Sequence, residues 1–593
     1  MRRFPGLTSL GGIGRVARSL IGRSLSRTGG GALPGLDVSA ARRIVAEEGG
    51  GKVVPLDAGV REVAEAYASW TGRELSLFPP VLESGVLEGA VLVGFERHID
   101  AQLLRRVYAT VQTNAPGLLV AQTIEELWSS AMANIEALTV EEPEIERAVF
   151  IADEGVALLE DASSTWEHPL TDASDVRQVL TQGAGVLAIV THSDGIDAFL
   201  APGVTLCSLA GDVGNRFEGH NRCQRTRECH AHAQSVDTAL KSGNLIDPTD
   251  ISARFLIFGS CWGYLPIDGR RPDQPLNLGM RFAQNRKIGA ALLPWRVSTV
   301  RTIDIEWLCD LVVAGASAGR VLARLHRDPP GYLIGGGYCL VGDPATRLRV
   351  PGSSTPGPPP PQLAERVERR RGAPRDTKRM FVRACLEGIA SQNPDSAPRA
   401  APADRPMAQL CDDLNDDRPT LEQDRSLQAE ILRAMAKQFM PPYRGWLSYA
   451  RTSVDAKASE AKCPSCGRTH GDLLVMRCEI PSLDIERTLA DCAYCGIVCD
   501  VPGRRSIGIE TSESGAVKVA LRGRFSRGDW IGCLMVRSQA RSDVRVWEWP
   551  CPDRKPARTL VPEAVWPPGT VDVGIYLAKN FELWFAGRRF VSF

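Results

Sequence analysis

Two short, uncharged apolar runs constrain the fold of this chain more than any other feature. Val186–Val190 is followed by Thr-His-Ser-Asp-Gly, and Phe255–Phe258 is followed by Gly-Ser-Cys-Trp-Gly. Runs of four or five apolar residues between glycine and polar residues are typical of strands that a parallel sheet buries on both faces. Because ligands gather beyond the carboxyl ends of such strands, the sequence predicts that His192 and Cys261 lie at one edge of one sheet.

The alternation of apolar runs and amphipathic segments continues on both sides of these two strands. Apolar strand patterns at Ala90–Gly94 and Ile288–Leu293 alternate with helical patterns such as Ala101–Gln112. Strands that alternate with helices are typical of a parallel sheet with helices on both faces. Residues 37–350 are therefore predicted to form one α/β domain, with a Cys- and His-containing insert at residues 203–235.

The remaining segments differ in composition from this domain. At 593 residues, the chain exceeds what one hydrophobic core holds. Residues 1–36 carry several arginines and no acidic residue, which predicts a basic disordered tail. Residues 351–457 are predicted to be a proline-rich linker with helices, and the cysteine-containing residues 458–505 a zinc ribbon. Period-two apolar patterns predict a small all-β, sandwich-like domain at residues 506–593.

Composition limits the classes of function. The formal net charge is +0, which gives no general reason to bind nucleic acid or an anionic membrane. No apolar stretch approaches the roughly 18 residues of a membrane-spanning helix. The 16 cysteines are spread over a long chain and several have metal-ligand spacing, so a reducing, cytoplasmic location is expected.

Cys261 and His192 are the strongest candidates for catalysis. A thiol beside an imidazole combines a nucleophile with a proton carrier. A cysteine at a strand-to-helix turn feels the positive end of the next helix, which favours the thiolate. The small neighbours Gly259 and Gly263 let a substrate backbone approach. A structural interpretation stays open, because cysteine is often buried and a histidine at a strand end often bonds only to backbone.

Four segments in this order carry a likeness to a known family: Val190-Thr-His-Ser-Asp-Gly195, Ile257-Phe-Gly-Ser-Cys-Trp-Gly263, Ile288-Gly-Ala-Ala-Leu-Leu-Pro-Trp295 and Tyr338-Cys-Leu-Val-Gly-Asp-Pro-Ala-Thr-Arg-Leu348. Together they resemble the caspase-like superfamily of cysteine peptidases, and in particular its bacterial CHAT and gingipain-like branch. The resemblance covers roughly residues 40–350. It implies a caspase-like sheet and the hydrolysis of peptide bonds.

The same resemblance implies roles for single residues. Cys261 would be the nucleophile, and His192 would protonate the leaving amine. The family usually has glycine directly after the histidine, and the N–H of that glycine helps to bind the oxyanion. In this chain Ser193 and Asp194 come first, so either Ser193 or Gly195 would supply that N–H.

In this superfamily a charge in the substrate pocket often selects the side chain before the cleaved bond, and the resemblance therefore implies two opposite preferences for this chain. Arg296, directly after Trp295, would favour an acidic side chain before the cleaved bond. Asp194 or Asp197 would instead favour a basic one. A third interpretation stays open, in which these charges are solvated surface groups.

Two C-x2-C pairs, each followed by glycine, predict one structural zinc site. The cysteines are Cys463, Cys466, Cys492 and Cys495. Four thiolates complete a tetrahedral zinc site and leave no open position for catalysis.

A second metal site is predicted in the insert. The preferred ligands are Cys207, Cys223, Cys229 and His232, with His220 as a substitute. A long loop requires something to hold it, and zinc would contribute several kcal/mol. The alternative is a flexible insert with unpaired thiols.

These observations favour a cytoplasmic cysteine endopeptidase that acts on protein substrates through a Cys–His dyad. The C-terminal domains would recruit a substrate or a regulatory protein partner. Two alternatives remain: a catalytically inactive caspase-like scaffold, and a nucleic-acid-binding protein that uses the zinc ribbon. The neutral overall charge makes nucleic acid the weaker candidate for a partner.

Overall fold

The computed structural model divides the chain into two compact units, Met1–Pro329 with Leu333–Pro359, and Pro330–Tyr332 with Pro360–Phe593. The structure describes residues 37–76, 87–108, 111–139, 148–152, 155–159, 173–193, 195–201, 204–210, 228–229, 234–235, 238, 241, 244–267, 277–296, 302–327, 337–348, 378–379, 381–383, 385–386, 407–414, 421–437, 442, 452–459, 463, 471–478, 486–492, 495–503, 506–511, 517–522, 530–538, 544–551 and 569–592. The predicted tail at residues 1–36 and most of the predicted linker lie outside these ranges.

The first unit alternates strands and helices, as the sequence predicts. Its helices are α1 (Val38–Glu47), α2 (Arg61–Thr71), α3 (Ala101–Tyr108), α4 (Ile124–Thr139), α5 (Ala173–Thr181), α6 (Leu278–Gln284), α7 (Thr302–Val313) and α8 (Ala318–Arg327). Its strands are β1 (Lys52–Pro55), β2 (Glu74–Leu75), β3 (Val91–Phe95), β4 (Gly117–Ala121), β5 (Ala148–Ala152), β6 (Gly155–Leu159), β7 (Ala184–Val190), β8 (His192–Ser193), β9 (Asp197–Ala201), β10 (Val204–Cys207), β11 (Glu228–Cys229), β12 (Gln234–Ser235), β13 (Leu245–Ile246), β14 (Ala253–Gly259), β15 (Ile288–Pro294) and β16 (Tyr338–Gly342).

Ten of these strands form one mainly parallel sheet, in the order β2-β1-β3-β4-β16-β15-β14-β7-β5-β6. The sheet is not parallel throughout, because β16 runs antiparallel to β15 and β6 antiparallel to β5. A two-residue connection between β5 and β6 is a hairpin, and a hairpin can join only antiparallel strands. The α/β class predicted from the sequence is therefore confirmed, and its strand directions are mixed.

Burial explains why these runs become inner strands. Every residue of β3, β4 and β15 is buried. Since successive side chains of a strand point to opposite faces, both faces of the sheet are covered. One hydrophobic cluster joins apolar side chains of α1, α2 and α4 to those of β1, β3 and β4.

A buried ionic network closes the edge of the sheet at which β16 ends. The guanidinium of Arg73 donates two hydrogen bonds to the carboxylate of Asp343, at 2.7 and 2.8 Å. The hydroxyl of Tyr67 donates a third at 2.6 Å, and the backbone N–H of Ala345 a fourth at 2.8 Å. The side chains of Arg73 and Asp343 are 1% and 0% exposed, so the pair fixes this turn from inside the protein.

Hydrogen bonds also join the segments that follow the inner strands at the opposite edge. Gln122, after β4, donates to Glu96, after β3, at 3.0 Å. The Asn277 amide donates to Glu96 at 3.2 Å, and the backbone N–H of Leu278 donates to the carbonyl of Gly195 at 2.9 Å. The carboxyl ends of β3, β4 and β7 therefore meet at one edge.

A smaller sheet stands beyond β7, with the order β13-β10-β9-β8. In it β8 and β9 are antiparallel, with His192 opposite Phe199 and Ser193 opposite Ala198. The chain thus leaves the large sheet at Thr191 and enters the small sheet at once, which fixes the backbone of position 192 from both sides.

The second unit contains an eight-stranded sheet with the order β17-β18-β19-β20-β26-β25-β23-β24, and a separate hairpin β21–β22. Its helices are α9 (Met407–Asp413) and α10 (Leu421–Lys437), and its strands are β17 (Thr452–Ser459), β18 (Gly471–Cys478), β19 (Glu486–Cys492), β20 (Gly496–Pro502), β21 (Ser506–Thr511), β22 (Val517–Arg522), β23 (Trp530–Ser538), β24 (Val544–Cys551), β25 (Gly569–Lys579) and β26 (Glu582–Ser592). Neighbouring strands of this sheet are antiparallel.

The sequence predicts two successive domains here, a zinc ribbon at residues 458–505 and a sandwich-like β domain at residues 506–593. In the structure, strands of both segments share one sheet, because β20 pairs with β26 through Cys499 opposite Ala586. This pairing leaves neither strand as an open edge, which would expose a row of unpaired N–H and C=O groups.

Among the described residues, no helix has both the length and the apolar character needed to span a bilayer.

Candidate functional site

The two apolar runs that precede His192 and Cys261 belong to the adjacent parallel strands β7 and β14. In the register of β7 and β14, Val190 lies opposite Gly259. The contact continues one residue further, because the backbone N–H of Thr191 donates to the carbonyl of Gly259 at 3.1 Å. His192 and Cys261 each come two residues after this pair, so the predicted meeting of the two segments at one sheet edge is present in the backbone.

A second contact holds the same two segments together beyond the strand ends. Gly195 has φ +90°, and a Cβ placed on it would lie 3.3 Å from the Cβ of Trp262. Positions 192 and 261 therefore lie between two fixed points, the bond of Thr191 to Gly259 and the contact of Gly195 with Trp262. The side chain of His192 and all of Asp194 fall outside the described residues.

The segment that carries Cys261 is clamped to the end of β15. The backbone N–H of Trp262 donates to the carbonyl of Arg296 at 3.3 Å, and that of Tyr264 to the carbonyl of Pro294 at 2.9 Å. Trp262 has φ 48°, a left-handed conformation that is uncommon for a residue with a side chain. Cys261 itself is half-buried, so part of this residue is accessible from solvent.

Close packing explains why glycines flank this segment. A Cβ on Gly263 would lie 2.7 Å from a ring carbon of Phe258 and 2.8 Å from Cδ of Pro294. A Cβ on Gly279 would lie 2.5 Å from a ring carbon of Tyr264 and 2.8 Å from its Cα. Only glycine fits at these two positions without a shift of the segment that carries Cys261.

The two candidate oxyanion donors differ in their availability. The backbone N–H of Gly195 donates to the hydroxyl oxygen of Ser193 at 3.0 Å, so in this conformation it is already engaged. Ser193 lies in β8, which pairs on one side with β9 and is an edge strand on the other. The hydroxyl of Thr191 donates to the carbonyl of Phe199, which ties the start of the turn to β9.

The charged residues suggested for substrate selection are sheltered where the structure describes them. Arg296 is 5% exposed and Asp197 is 3% exposed. The guanidinium carbon of Arg296 lies 5.7 Å from the ring centre of Trp295, which is itself buried. These two charges are therefore not the solvated surface groups of the third interpretation. Their proposed roles in substrate selection stay predictions.

One pair of polar residues at this edge was not identified from the sequence. Glu96 is buried directly after β3 and accepts hydrogen bonds from Gln122 and Asn277. The Asn277 amide also donates to the carbonyl of Leu265, at 3.3 Å. Glu96 could have been predicted from the same signal as His192, because both residues follow a buried apolar run at the carboxyl end of a strand.

Three of the four cysteines predicted to bind zinc form a cluster in the second unit. The sulfur atoms of Cys463, Cys492 and Cys495 all lie within 4.8 Å of one another. Cys492 ends β19, and Cys495 lies in the turn to β20. Cys463 lies in the connection from β17 to β18, and Gly471 at the end of that connection pairs with Cys492. Two hairpin connections of the sheet therefore bring three predicted ligands to one point.

The three thiols fit the requirements of a zinc site. Tetrahedral zinc with Zn–S bonds of about 2.3 Å needs sulfur atoms roughly 3.8 Å apart. Cys463 and Cys492 are buried, and Cys495 is half-buried, so the thiols are largely shielded from water. The fourth predicted ligand, Cys466, lies outside the described residues.

The second predicted metal site is not tested by the structure. Cys207 is buried at the end of β10, where it lies opposite Asp197. Cys229 has a described backbone in β11, but its side chain, Cys223 and His232 lie outside the described residues, as does the substitute His220. The second zinc site therefore stays a prediction.

The fold and the site together define an α/β protein that presents a histidine and a cysteine from neighbouring parallel strand ends. No protein-family model matches the chain, and no curated protein matches it.

Two solved structures are similar to it. The complex of Porphyromonas gingivalis RgpB pro- and mature domains has 10% identity and a TM-score of 0.31, over 91% of this chain and 100% of that chain. The Arg specific cysteine proteinase gingipain R (RGPB) has 8% identity and a TM-score of 0.30, over 91% of this chain and 98% of that chain. Likeness at this level leaves the activity to be argued from the residues of this chain.

Proposed function

We propose that this chain is a caspase-like cysteine endopeptidase with Cys261 as nucleophile and His192 as its proton carrier. The observation that supports this proposal is the parallel pairing of β7 with β14, in which Val190 lies opposite Gly259. An accidental pair of reactive residues would not be expected at equivalent positions beyond two adjacent strands. The carboxyl edge of a mainly parallel sheet is also where such folds bind their ligands.

The proposed reaction needs only groups at this edge and water. The Cys261 thiolate attacks the carbonyl carbon of the scissile peptide bond, and the carbonyl oxygen becomes an oxyanion. His192, protonated, gives its proton to the leaving amine as the C–N bond breaks. Water then attacks the thioester and gives its proton to His192. The acid product leaves, and the thiolate is restored.

The oxyanion would be stabilised by backbone N–H groups, of which those of Cys261, Ser193 and Gly195 are the candidates. The N–H of Gly195 becomes available when its hydrogen bond to the Ser193 hydroxyl is exchanged for one to the substrate. This exchange replaces one hydrogen bond with another, charge-assisted one, which is the stronger kind.

The cysteine cluster of the second unit is proposed to hold one structural zinc ion through Cys463, Cys466, Cys492 and Cys495. Bound zinc would supply a cross-link between two hairpin connections and no catalytic chemistry, since four thiolates fill its coordination. This unit is proposed to recruit a protein substrate or a regulatory protein, in a reducing, cytoplasmic setting. The second zinc site, in the insert, remains part of the proposal.

The activity is tested with the full chain and a library of peptides. The wild type is expected to cleave some of them, and Cys261→Ala and His192→Ala are each expected to lower kcat/KM at least a thousandfold. Cys533→Ala, which removes a buried thiol of the second unit, is the matched control and is expected to retain activity. A peptide with a thiol-reactive warhead should label Cys261 and no other cysteine. Absence of both cleavage and labelling, with zinc bound and the chain folded, would end the proposal.

A second candidate function is a binding scaffold without catalysis. The observation that favours it is the hydrogen bond from the Gly195 N–H to Ser193, together with the two residues that separate His192 from that glycine. In that case Cys261→Ala would bind the same protein partner as the wild type, and neither would cleave it.

A further inference from the structure

Phe199 occupies an unusual place for a large apolar residue. It is 41% exposed, whereas its neighbours Ala198 and Leu200 in β9 are buried. In the register of β8 and β9 it lies directly opposite His192. Directly opposite residues of an antiparallel pair belong to one face of the sheet. Phe199 therefore presents apolar surface to solvent on the face that carries position 192.

Large apolar side chains are otherwise well covered in the part of the chain that the structure describes. Only Ile267 and Val313 join Phe199 among its exposed large hydrophobic residues. The backbone N–H of Ile267 donates to the carbonyl of Ile99, shortly after β3, and Val313 is the last residue of α7. Phe199 alone is a cross-strand neighbour of a candidate catalytic residue.

The backbone of Phe199 is fixed although its ring is exposed. The hydroxyl of Thr191 donates to its carbonyl, and β9 pairs with β8 on one side and β10 on the other. A second aromatic residue, the half-buried Trp262, follows Cys261 and is held against Gly195 in the turn that joins β8 to β9. Aromatic residues therefore accompany both members of the candidate pair.

Two described charges near this surface, Arg296 and Asp197, are buried. Phe199, in contrast, is exposed on the face of β8 and β9 that carries position 192. An exposed ring held on a fixed backbone loses little conformational freedom when it is covered, which makes it an efficient contact.

We propose that Phe199 is a specificity-determining residue that contacts a large apolar side chain of the peptide substrate. The inference rests on the proposed function, since the substrate is taken to be a peptide bound across His192 and Cys261. It adds the chemical class of one substrate side chain, which is apolar, and the residue of this chain that selects it.

The size of the effect follows from the exposed surface. About two-fifths of a phenylalanine side chain corresponds to roughly 80 Å² of apolar surface, which favours binding by about 30-fold when fully covered. A peptide covers only part of it, so a preference of about tenfold is expected for phenylalanine or leucine over asparagine at one peptide position.

The inference is tested by binding to Cys261→Ala, which binds a peptide but cannot cleave it. Peptides that differ at one position, with Phe, Leu, Asn, Lys or Glu, are titrated and the dissociation constants compared. Adding Phe199→Ser is expected to weaken binding of the Phe and Leu peptides about tenfold and to leave the Asn peptide unchanged. Val313→Ser is the matched control, since Val313 is 38% exposed and lies on α7, and it is expected to change none of them.

The outcomes separate this inference from the proposed function. Cleavage by the wild type without an apolar preference, or with a preference that Phe199→Ser leaves intact, overturns the inference alone. A preference for Lys or Glu does the same and points to the sheltered charges. Absence of binding by every peptide overturns the inference, and the proposed function falls with it only if the wild type also fails to cleave and to be labelled at Cys261.

Discussion

Replacing Arg73 with methionine removes the charged partner of Asp343 while keeping much of the side-chain volume. Asp343 is fully buried and accepts four hydrogen bonds, two of them from Arg73. The substitution leaves a carboxylate inside the protein with only the Tyr67 hydroxyl and the Ala345 N–H as donors. A buried charge without its partner is among the costliest changes a protein core can suffer.

The magnitude follows from the bonds that are lost. Two hydrogen bonds to a charged group contribute about 1.5–3 kcal/mol each, and breaking one partner of a buried ion pair costs about 3–5 kcal/mol. We expect Arg73→Met to lower the free energy of unfolding of the first unit by about 4 kcal/mol. Since about 1.4 kcal/mol is a factor of ten, the opening equilibrium rises nearly a thousandfold.

Hydrogen–deuterium exchange of the peptide that contains β16 measures this change in the full chain. Arg61→Met is the matched control on α2, because its ion pair with Glu65 has side chains 66% and 45% exposed, and such a pair contributes only about 0.3–0.5 kcal/mol. Combining Arg73→Met with Asp343→Asn removes the stranded charge, so the double variant should be more stable than the sum of the single effects predicts. A loss below about 1 kcal/mol, or an additive double variant, would refute this account of the network.

Three further predictions concern metal, pH and packing. Elemental analysis should find at least one zinc ion per chain. Cys492→Ser should lower the zinc content by one ion per chain, whereas Cys478→Ser, at the far end of β18, should leave it unchanged. Burial lowers the pKa of His326 to about 4 from 6.5, so between these pH values the folded chain binds fewer protons than the unfolded chain. The stabilisation of the folded state by neutral His326 is therefore complete above pH 6.5 and is lost as the pH falls to 4. His326→Gln should make the free energy of unfolding less dependent on pH across this window. Gly279→Ala places a Cβ 2.8 Å from the Cα of Tyr264, so thermal unfolding should show that the free energy of unfolding falls by about 1–3 kcal/mol. An unchanged Tm would contradict the close packing of Gly279 against Tyr264.

Local patterns predicted most elements of the first unit because burial leaves a period in the sequence. The strand predicted at Ile288–Leu293 is observed at Ile288–Pro294, and the helix predicted at Ala101–Gln112 is observed at Ala101–Tyr108. The direction of β16 was not predictable in the same way. An apolar run such as Tyr338–Gly342 has the same composition in either direction, and its antiparallel pairing with β15 is decided by tertiary structure.

Some features of the candidate site were predictable from local sequence patterns, and others depend on tertiary structure. The adjacency of the segments that carry His192 and Cys261 followed from two buried runs, and the meeting of three zinc-site cysteines followed from their spacing. The hydrogen bond from the Gly195 N–H to the Ser193 hydroxyl depends on the geometry of one turn, and no sequence pattern predicts it. The pairing of Arg73 with Asp343 joins residues that are 270 positions apart, a separation at which sequence periodicity carries no information.

Trp262 places an indole on a backbone whose φ of 48° suits glycine. A left-handed conformation costs an L-residue about 1–2 kcal/mol, so Trp262→Gly would relieve that strain. An engineer who selected variants for heat resistance alone would therefore be drawn to this substitution, and would discard the aromatic ring that stands next to the thiol. Stability and an aromatic surface beside Cys261 are therefore opposed at this position, and selection for heat resistance alone would remove that surface.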